Sequence, residues 1–163
     1  MELLPLFLPL FGSISVLFFG RSLGHKGSVI LTTSLVGFSL LLSLLFIFYR
    51  VALLNSTVCY SLFPWFSIGD LSVWWSFHFD SLTAVMFLVV LSISFCVHLY
   101  SSVYMAEDPH LSRFFCYLSL FTFFMLVLVS AANLPQLFVG WEGVGVCSYL
   151  LISFWFTRKQ ANK

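Results

Sequence analysis

A single carboxylate, Glu142, interrupts an apolar stretch that is otherwise typical of a membrane-spanning helix. The stretch runs from Phe138 to Trp155, and Glu142 is the only acidic or basic residue between Asn133 and Thr157. A charged carboxylate at the centre of a bilayer costs about 2.5–3.5 kcal/mol on insertion scales. Intramembrane residues that carry this cost usually mark ion pathways, so Glu142 is the first candidate for chemistry.

The chemistry open to Glu142 is proton transfer. In lipid, desolvation favours the protonated carboxyl group, whereas an approaching lysine favours the carboxylate. A group that alternates between these states as a partner moves can carry protons. The alternative is a permanently protonated Glu142 that donates a structural hydrogen bond between helices. The small neighbours Gly140, Gly143 and Gly145 would let another helix come close.

Other titratable residues are weaker candidates. His98 lies in an apolar stretch and could relay protons, because an ordinary histidine titrates near neutrality. The competing interpretation is a buried histidine whose ring nitrogens are satisfied. Glu107, Asp108 and His110 share a polar segment that could collect protons, although an acidic loop is usually just solvated. Asp80 is interpreted as a helix cap only.

The composition indicates that the bilayer is the solvent of this chain. Its 163 residues are 61% hydrophobic and 8% charged, with a mean hydropathy of +1.06, whereas soluble domains carry about 25% charged residues. The net charge of +1 gives no basis for nucleic-acid binding. The four cysteines lack metal-site spacing, and no nucleotide-binding glycine motif occurs. We therefore expect neither a metal nor a cofactor.

Five apolar stretches approach the roughly 20 residues that a spanning helix needs. They are predicted at about residues 3–20, 28–49, 82–104, 113–130 and 134–156. The predicted fold class is thus an all-α polytopic membrane protein with a single membrane domain over residues 1–163. Asp80, Ser112 and Asn133 are the expected N-caps of the last three helices.

The segment between the second and third helices, residues 51–80, predicts a β-hairpin. Residues 71–80 alternate between apolar and polar or aromatic side chains, which is the period of a strand. Residues 60–67 are the expected partner strand, and Gly69 and Asp70 form a turn signal. The tryptophans of this segment suit a membrane–water interface, so we predict an exposed hairpin on one membrane face.

The basic residues predict the orientation. If all five helices span the membrane, six of the seven basic residues fall on one side: Arg21, Lys26, Arg113, Arg158, Lys159 and Lys163. Only Arg50 falls on the other side. Cytoplasm-like compartments receive the excess of positive charge, so the N-terminus is expected outside and the C-terminus inside.

Four sequence blocks resemble one known family. They are "FDSLTAVM" (79–86), "HLYSSVYMAEDPH" (98–110), "RFFCYLSLFTFFML" (113–126) and "LFVGWEGVGVCSYLLISFWFTRKQAN" (137–162). They are similar to successive landmarks of the subunit 5 family of mitochondrial NADH:ubiquinone oxidoreductase, respiratory complex I. Bacterial multi-subunit cation/proton antiporters are similar too, but they usually differ beside the glutamate.

The resemblance implies a proton-pumping, antiporter-like membrane subunit without a redox site or cofactor of its own. Glu142 matches the fifth-helix glutamate of the family, which pairs with a lysine on a later helix. The implied location is the mitochondrial inner membrane, with the N-terminus in the intermembrane space and the C-terminus in the matrix. The implied partners are membrane lipid and other complex I membrane subunits, with no nucleic acid.

The chain is much shorter than the family it resembles. It ends at Lys163, before the later helices that carry the family's intramembrane lysines. We favour a separately made N-terminal fragment that assembles in trans with a chain carrying the remainder, and the alternative is part of a longer chain. Two other functions stay open: a subunit of a multi-subunit cation/proton antiporter, or a structural fragment without its own proton path.

Overall fold

The computed structural model describes residues 3–53, 57–69 and 71–155, which are mostly helical. In chain order the elements are α1 (Leu4–Leu42), its π-helical continuation (Ser43–Leu53), β1 (Val58–Ile68), β2 (Leu71–Phe79), α2 (Ser81–Tyr104), α3 (Leu111–Val129) and α4 (Leu134–Ile152). The two strands form an antiparallel hairpin. The helices and the predicted hairpin are therefore present, within a mostly helical fold.

The helix α1 folds back on itself at Gly24. This residue has φ 68° and ψ −178°, a combination that glycine alone adopts readily. The Ser39 hydroxyl donates a hydrogen bond of 2.5 Å to the Pro5 carbonyl, 34 residues away. A straight helix would place these residues about 50 Å apart. The two antiparallel arms, residues 4–23 and 25–42, thus overlap the first two helices predicted at about 3–20 and 28–49.

Three helical segments of the described chain are long and apolar enough to cross a membrane. They are Leu4–Ile47, Ser81–Tyr104 and Leu111–Val129, and the first contains both arms of α1. The 19-residue α4, Leu134–Ile152, is not among these three segments. Hydropathy alone therefore supports fewer spans than the five predicted from the sequence.

Hydrogen bonds hold the hairpin against the start of α4 and the connection between α3 and α4. The Ser76 N–H donates to Gln136 Oε1 (2.9 Å), the His78 N–H donates to the Ser130 carbonyl (2.9 Å), and Asn133 Nδ2 donates to the Trp74 carbonyl (2.6 Å). The strand β1 is largely exposed, as predicted. The alternate side chains of β2 are buried instead: Val73, Phe77 and Phe79. The hairpin is thus only half exposed, because one face of β2 covers the helix ends.

Two of the three predicted helix caps are confirmed. Asp80 Oδ1 accepts a 2.7 Å hydrogen bond from the Thr83 N–H at the start of α2, and Asn133 caps α4. The expected cap at Ser112 is wrong. The helix α3 begins earlier, at Leu111, without a side-chain cap. The Ser112 hydroxyl lies 3.0 Å from the Ser28 hydroxyl, so it joins two helices instead of closing one.

The contacts sort the helix ends into two groups. The hairpin end comprises residues 3–7, 57–69, 71–80 and 129–136, where the rings of Phe7 and Phe77 pack 6.3 Å apart. The basic end comprises residues 20–28, 105–113 and 153–155. There, Trp155 Nε1 donates a 2.8 Å hydrogen bond to Asp108 Oδ2. The hairpin and the basic residues Arg21, Lys26 and Arg113 therefore lie at opposite ends of the helices.

Candidate functional site

The helix α4 has one buried and one exposed stripe. Successive residues rotate by about 100° around a helix, so residues spaced by three or four share a face. One face packs against the rest of the chain through Gln136, Gly140, Gly143 and Cys147. The opposite face is exposed and carries Phe138, Glu142, Gly145, Val146 and Tyr149. Glu142 thus occupies the middle of an outward, otherwise apolar face.

Glu142 has no ion pair or hydrogen bond with any residue in the described part of the chain. Its neighbours one turn away, Phe138 and Val146, are 61% and 57% exposed. An ionised carboxylate on such a face would be costly in lipid unless another group compensated its charge. Any compensating group must therefore come from a different molecule or from outside the described part of this chain.

Two of the three glycines beside Glu142 allow α4 to approach α3 closely. A β-carbon at position 140 would lie 2.7 Å from the Leu128 Cα, and one at position 143 would overlap the ring of Phe124. The expected helix contact is thus confirmed for Gly140 and Gly143, and the approaching helix is α3. Gly145 differs, because a β-carbon there would meet nothing within 4 Å. It shares the uncovered face with Glu142.

His98 is fully buried between α2 and α3, and both of its ring nitrogens have polar neighbours. Nδ1 lies 2.8 Å from the Ser94 carbonyl, and Nε2 lies 3.2 Å from the Ser119 hydroxyl. A neutral ring that donates from Nδ1 and accepts at Nε2 fits both contacts. The Ser94 and Thr122 hydroxyls, 2.6 Å apart, extend the polar network. These contacts satisfy both ring nitrogens, as expected for a structural histidine. They also form a short chain of hydrogen-bonded groups, as a proton relay needs.

The two leading candidates, Glu142 and His98, lie on opposite sides of α3. Ser119 faces His98, whereas Phe124 and Leu128 of the same helix face α4. Around the axis of α3, Ser119 is rotated by about 140° from Phe124 and by about 180° from Leu128. The structure therefore does not bring Glu142 and His98 into one site within the described chain.

The polar loop serves mainly to connect helix ends. Asp108 Oδ1 accepts a 2.9 Å hydrogen bond from the His110 N–H, and Asp108 Oδ2 accepts from Trp155 at the end of α4. Glu107 is exposed.

At the other end of α2, the Thr83 backbone N–H holds the pKa of the Asp80 carboxyl below its usual value, which agrees with the role of Asp80 as a cap.

Gln136 was missed by the sequence analysis. Its side chain is fully buried; Oε1 accepts from Ser76, while Nε2 has no hydrogen-bond partner in the described chain. An amide inside an apolar helix carries a burial cost, as the carboxylate of Glu142 does, so Gln136 could have been identified on the same ground.

No group of three or more metal-binding side chains occurs among the described residues.

Comparisons with known proteins agree with the sequence blocks. Residues 65–115 match the family described as NADH-Ubiquinone oxidoreductase (complex I), chain 5 N-terminus. NADH-ubiquinone oxidoreductase chain 5 of Arabidopsis thaliana is 59% identical over 100% of this chain and 24% of its own length. The Triticum aestivum protein is 58% identical with the same coverage, and that of Metridium senile is 52% identical over 27% of its length.

The chain spans about a quarter of the length of the curated relatives it matches. The identity extends over the whole of this chain in all three cases. Residues 1–163 are therefore similar, from end to end, to the N-terminal portion of the NADH-ubiquinone oxidoreductase chain 5 family.

Proposed function

We propose that this chain forms the opening section of a proton-translocating membrane subunit of respiratory complex I. The subunit contributes to proton translocation that is coupled to electron transfer from NADH to ubiquinone, and this section carries no redox site. Two observations support the proposal: the similarity to chain 5 over the whole chain, and the position of Glu142 on the uncovered face of α4.

The proposed role of Glu142 is to carry a proton. A lysine supplied by the remainder of the subunit approaches the uncovered face and stabilises the carboxylate; its withdrawal favours the protonated form. Moving one charge through 100 mV takes about 2.3 kcal/mol. The approach of the lysine must change the relative stability of the two forms by a similar amount to drive such a step.

The remainder of the subunit is the proposed occupant of the α4 face. We propose that it belongs to a separate chain that assembles with this one in trans. Phe138, Val146 and Tyr149 would pack against its helices, while Gly145 would allow a close approach beside Glu142. The other proposed neighbours are further membrane subunits of complex I and membrane lipid.

The proposed topology has five spans: the two arms of α1, then α2, α3 and α4. The fold supports it, because Arg21, Lys26 and Arg113 lie at the end opposite the hairpin. In the mitochondrial inner membrane, the basic end would face the matrix and the hairpin would face the intermembrane space. The N-terminus would then lie on the intermembrane side and the C-terminus on the matrix side.

The substitution Glu142→Gln tests the role of the carboxylate. Glutamine preserves size and hydrogen bonding but cannot titrate or attract a lysine. In purified complex reconstituted into vesicles, we expect Glu142→Gln to assemble but to lower both proton pumping and NADH:ubiquinone turnover. Glu107→Gln, which removes an exposed loop carboxylate, is the matched control and should behave like the unmodified complex. If the assembled Glu142→Gln complex pumped protons like the wild type, Glu142 would not carry protons and the role of this chain would be structural.

His98 is proposed as an additional relay between α2 and α3. The substitution His98→Gln can retain hydrogen bonds to Ser94 and Ser119 but cannot exchange a proton near neutral pH. A relay predicts lower pumping with normal assembly. Normal pumping after this substitution would show that His98 only holds the two helices together.

A further inference from the structure

A cavity at the basic end lies between the turn of α1 and the start of α3. Its volume is about 680 Å³, within the range of small-molecule sites. Its lining includes the nitrogen-bearing side chains Arg21, His25, His110 and Arg113. None of the described residues that line it carries a carboxylate. The cavity therefore concentrates uncompensated positive charge and N–H donors.

A second cavity beside it shows the contrast. That cavity, of about 570 Å³, is lined by Lys26 and by the carboxylate residues Glu107 and Asp108, and it shares His25 with the first. This second cavity thus contains both signs of charge, unlike the first. The two arginines of the first cavity have no ion pair among the described residues, so an anion would have to come from outside.

The wall of the first cavity continues into the apolar helix surface. Val16 and Leu17 line it on the first arm of α1, and Cys116 and Tyr117 line it on α3. Leu17 is 65% exposed, which leaves an apolar surface directly below the charged groups. The Arg113 guanidinium lies 5.8 Å from the centre of the Tyr117 ring. This cation–π contact holds the Arg113 side chain along α3. Such a wall fits an amphipathic ligand with an anionic head.

The fold holds the two sides of the cavity together. The reversal at Gly24 brings Arg21 and His25 to the same turn, and a β-carbon at Gly24 would touch nothing within 4 Å. The hydrogen bond between the Ser28 and Ser112 hydroxyls fixes the start of α3 beside that turn. The cationic groups are thus placed by backbone geometry and by one contact between helices.

We propose that this cavity binds the phosphate headgroup of an anionic phospholipid, with the acyl chains lying along Leu17 and Tyr117. Guanidinium groups bind phosphate oxygens through paired N–H donors, and basic pockets between helices at a membrane surface suit anionic headgroups. The inference goes beyond proton translocation and requires only that the chain is embedded in a membrane.

The test uses the purified complex that contains this chain, stripped of lipid and labelled with a photoactivatable phosphatidylglycerol. Labelling should fall on peptides covering residues 16–25 and 109–117. Each of Arg21→Gln and Arg113→Gln should weaken binding about fivefold, and the double variant roughly 25-fold. Lys26→Gln is the matched control, because Lys26 lines the second cavity, beside carboxylates, and not the first; it should change binding less than twofold.

Competition distinguishes lipid from free phosphate. Unlabelled phosphatidylglycerol should displace the probe, whereas phosphatidylcholine and inorganic phosphate should not. Several results would overturn the proposal: equal labelling by a phosphatidylcholine probe, displacement by inorganic phosphate as effective as by lipid, or an equal loss in Lys26→Gln. Absence of label from both peptides would mean that another protein subunit fills the cavity, which also contradicts it.

Discussion

Gly140 of α4 lies directly against the backbone of Leu128 in α3: a β-carbon at position 140 would be 2.7 Å from the Leu128 Cα. Backbone atoms cannot move aside as a flexible side chain can. This contact therefore fixes how far α4 can rotate, and with it the outward direction of Glu142. The site is positioned by glycine packing on the opposite face of its own helix.

Gly140→Leu should separate α3 from α4. Overpacking of a close contact costs about 1–3 kcal/mol, so thermal unfolding of the chain in detergent, followed by helical circular dichroism, should occur at lower temperature. Gly145→Leu is the matched control, because position 145 is open and leucine favours helix more than glycine by up to about 1 kcal/mol. Equal destabilisation by both substitutions would mean that α4 does not pack in this orientation.

In the assembled complex, we expect Gly145→Leu to have a different outcome from that in the isolated chain. If helices from the remainder of the subunit cover the face of Glu142 and Gly145, Gly145→Leu should reduce the yield of assembled complex although it leaves this chain folded. Native gel electrophoresis measures that yield. Normal assembly with leucine at 145 would indicate that this face contacts lipid or lies open.

Gln136→Met should loosen the hairpin without unfolding the helices. Methionine fills a similar volume but removes the acceptor of the Ser76 N–H, and an unsatisfied buried polar group costs about 1–3 kcal/mol. Amide hydrogen exchange should accelerate at Ser76 and its neighbours in β2, while α2 keeps its protection. Ser72→Ala, at an exposed position of the same strand, is the control. Unchanged exchange at Ser76 would show that other contacts hold the hairpin.

The Asp80 cap predicts a pH dependence of stability. Hydrogen bonding from Thr83 lowers the pKa of the folded-state carboxyl, so its contribution is present above the unfolded pKa of about 3.9. That contribution is lost as the pH falls through the folded pKa. Asp80→Asn should remove this dependence below about pH 4 and keep a capping oxygen, whereas Asp80→Ala should cost about 0.5–2 kcal/mol at neutral pH.

Thermal unfolding across this pH range measures both effects. Parallel pH profiles for Asp80→Asn and the unmodified chain would show that Asp80 contributes no charge-dependent cap.

Local signals allowed much of the fold to be predicted. Asp80 and Asn133 cap helices because each needs only the backbone N–H three residues ahead, and Gly69 permits the hairpin turn with φ 59°. Gly140 and Gly143 indicated a close helix contact for a similar reason, since the absence of a side chain is visible in the sequence. Ser112 was misassigned because its hydroxyl bonds to Ser28, 84 residues away.

Contacts between distant segments could not be predicted in the same way. The hydrogen bond from Ser76 to Gln136 joins residues 60 positions apart. The alternation of side chains in β2 predicted a strand but did not show that its apolar face would cover the helix ends. The separation of Glu142 from His98 likewise depends on which faces of α3 pack against α2 and α4. These relationships follow from three-dimensional packing, for which a single sequence carries little direct signal.

The most direct test of the central claim is infrared difference spectroscopy of the assembled complex, comparing the resting enzyme with the enzyme during turnover. If Glu142 exchanges a proton, a carboxyl C=O band should change intensity on turnover. That change should be absent from Glu142→Gln and retained in Glu107→Gln. The same carboxyl difference band in Glu142→Gln and in the unmodified complex would contradict the claim that Glu142 carries the proton.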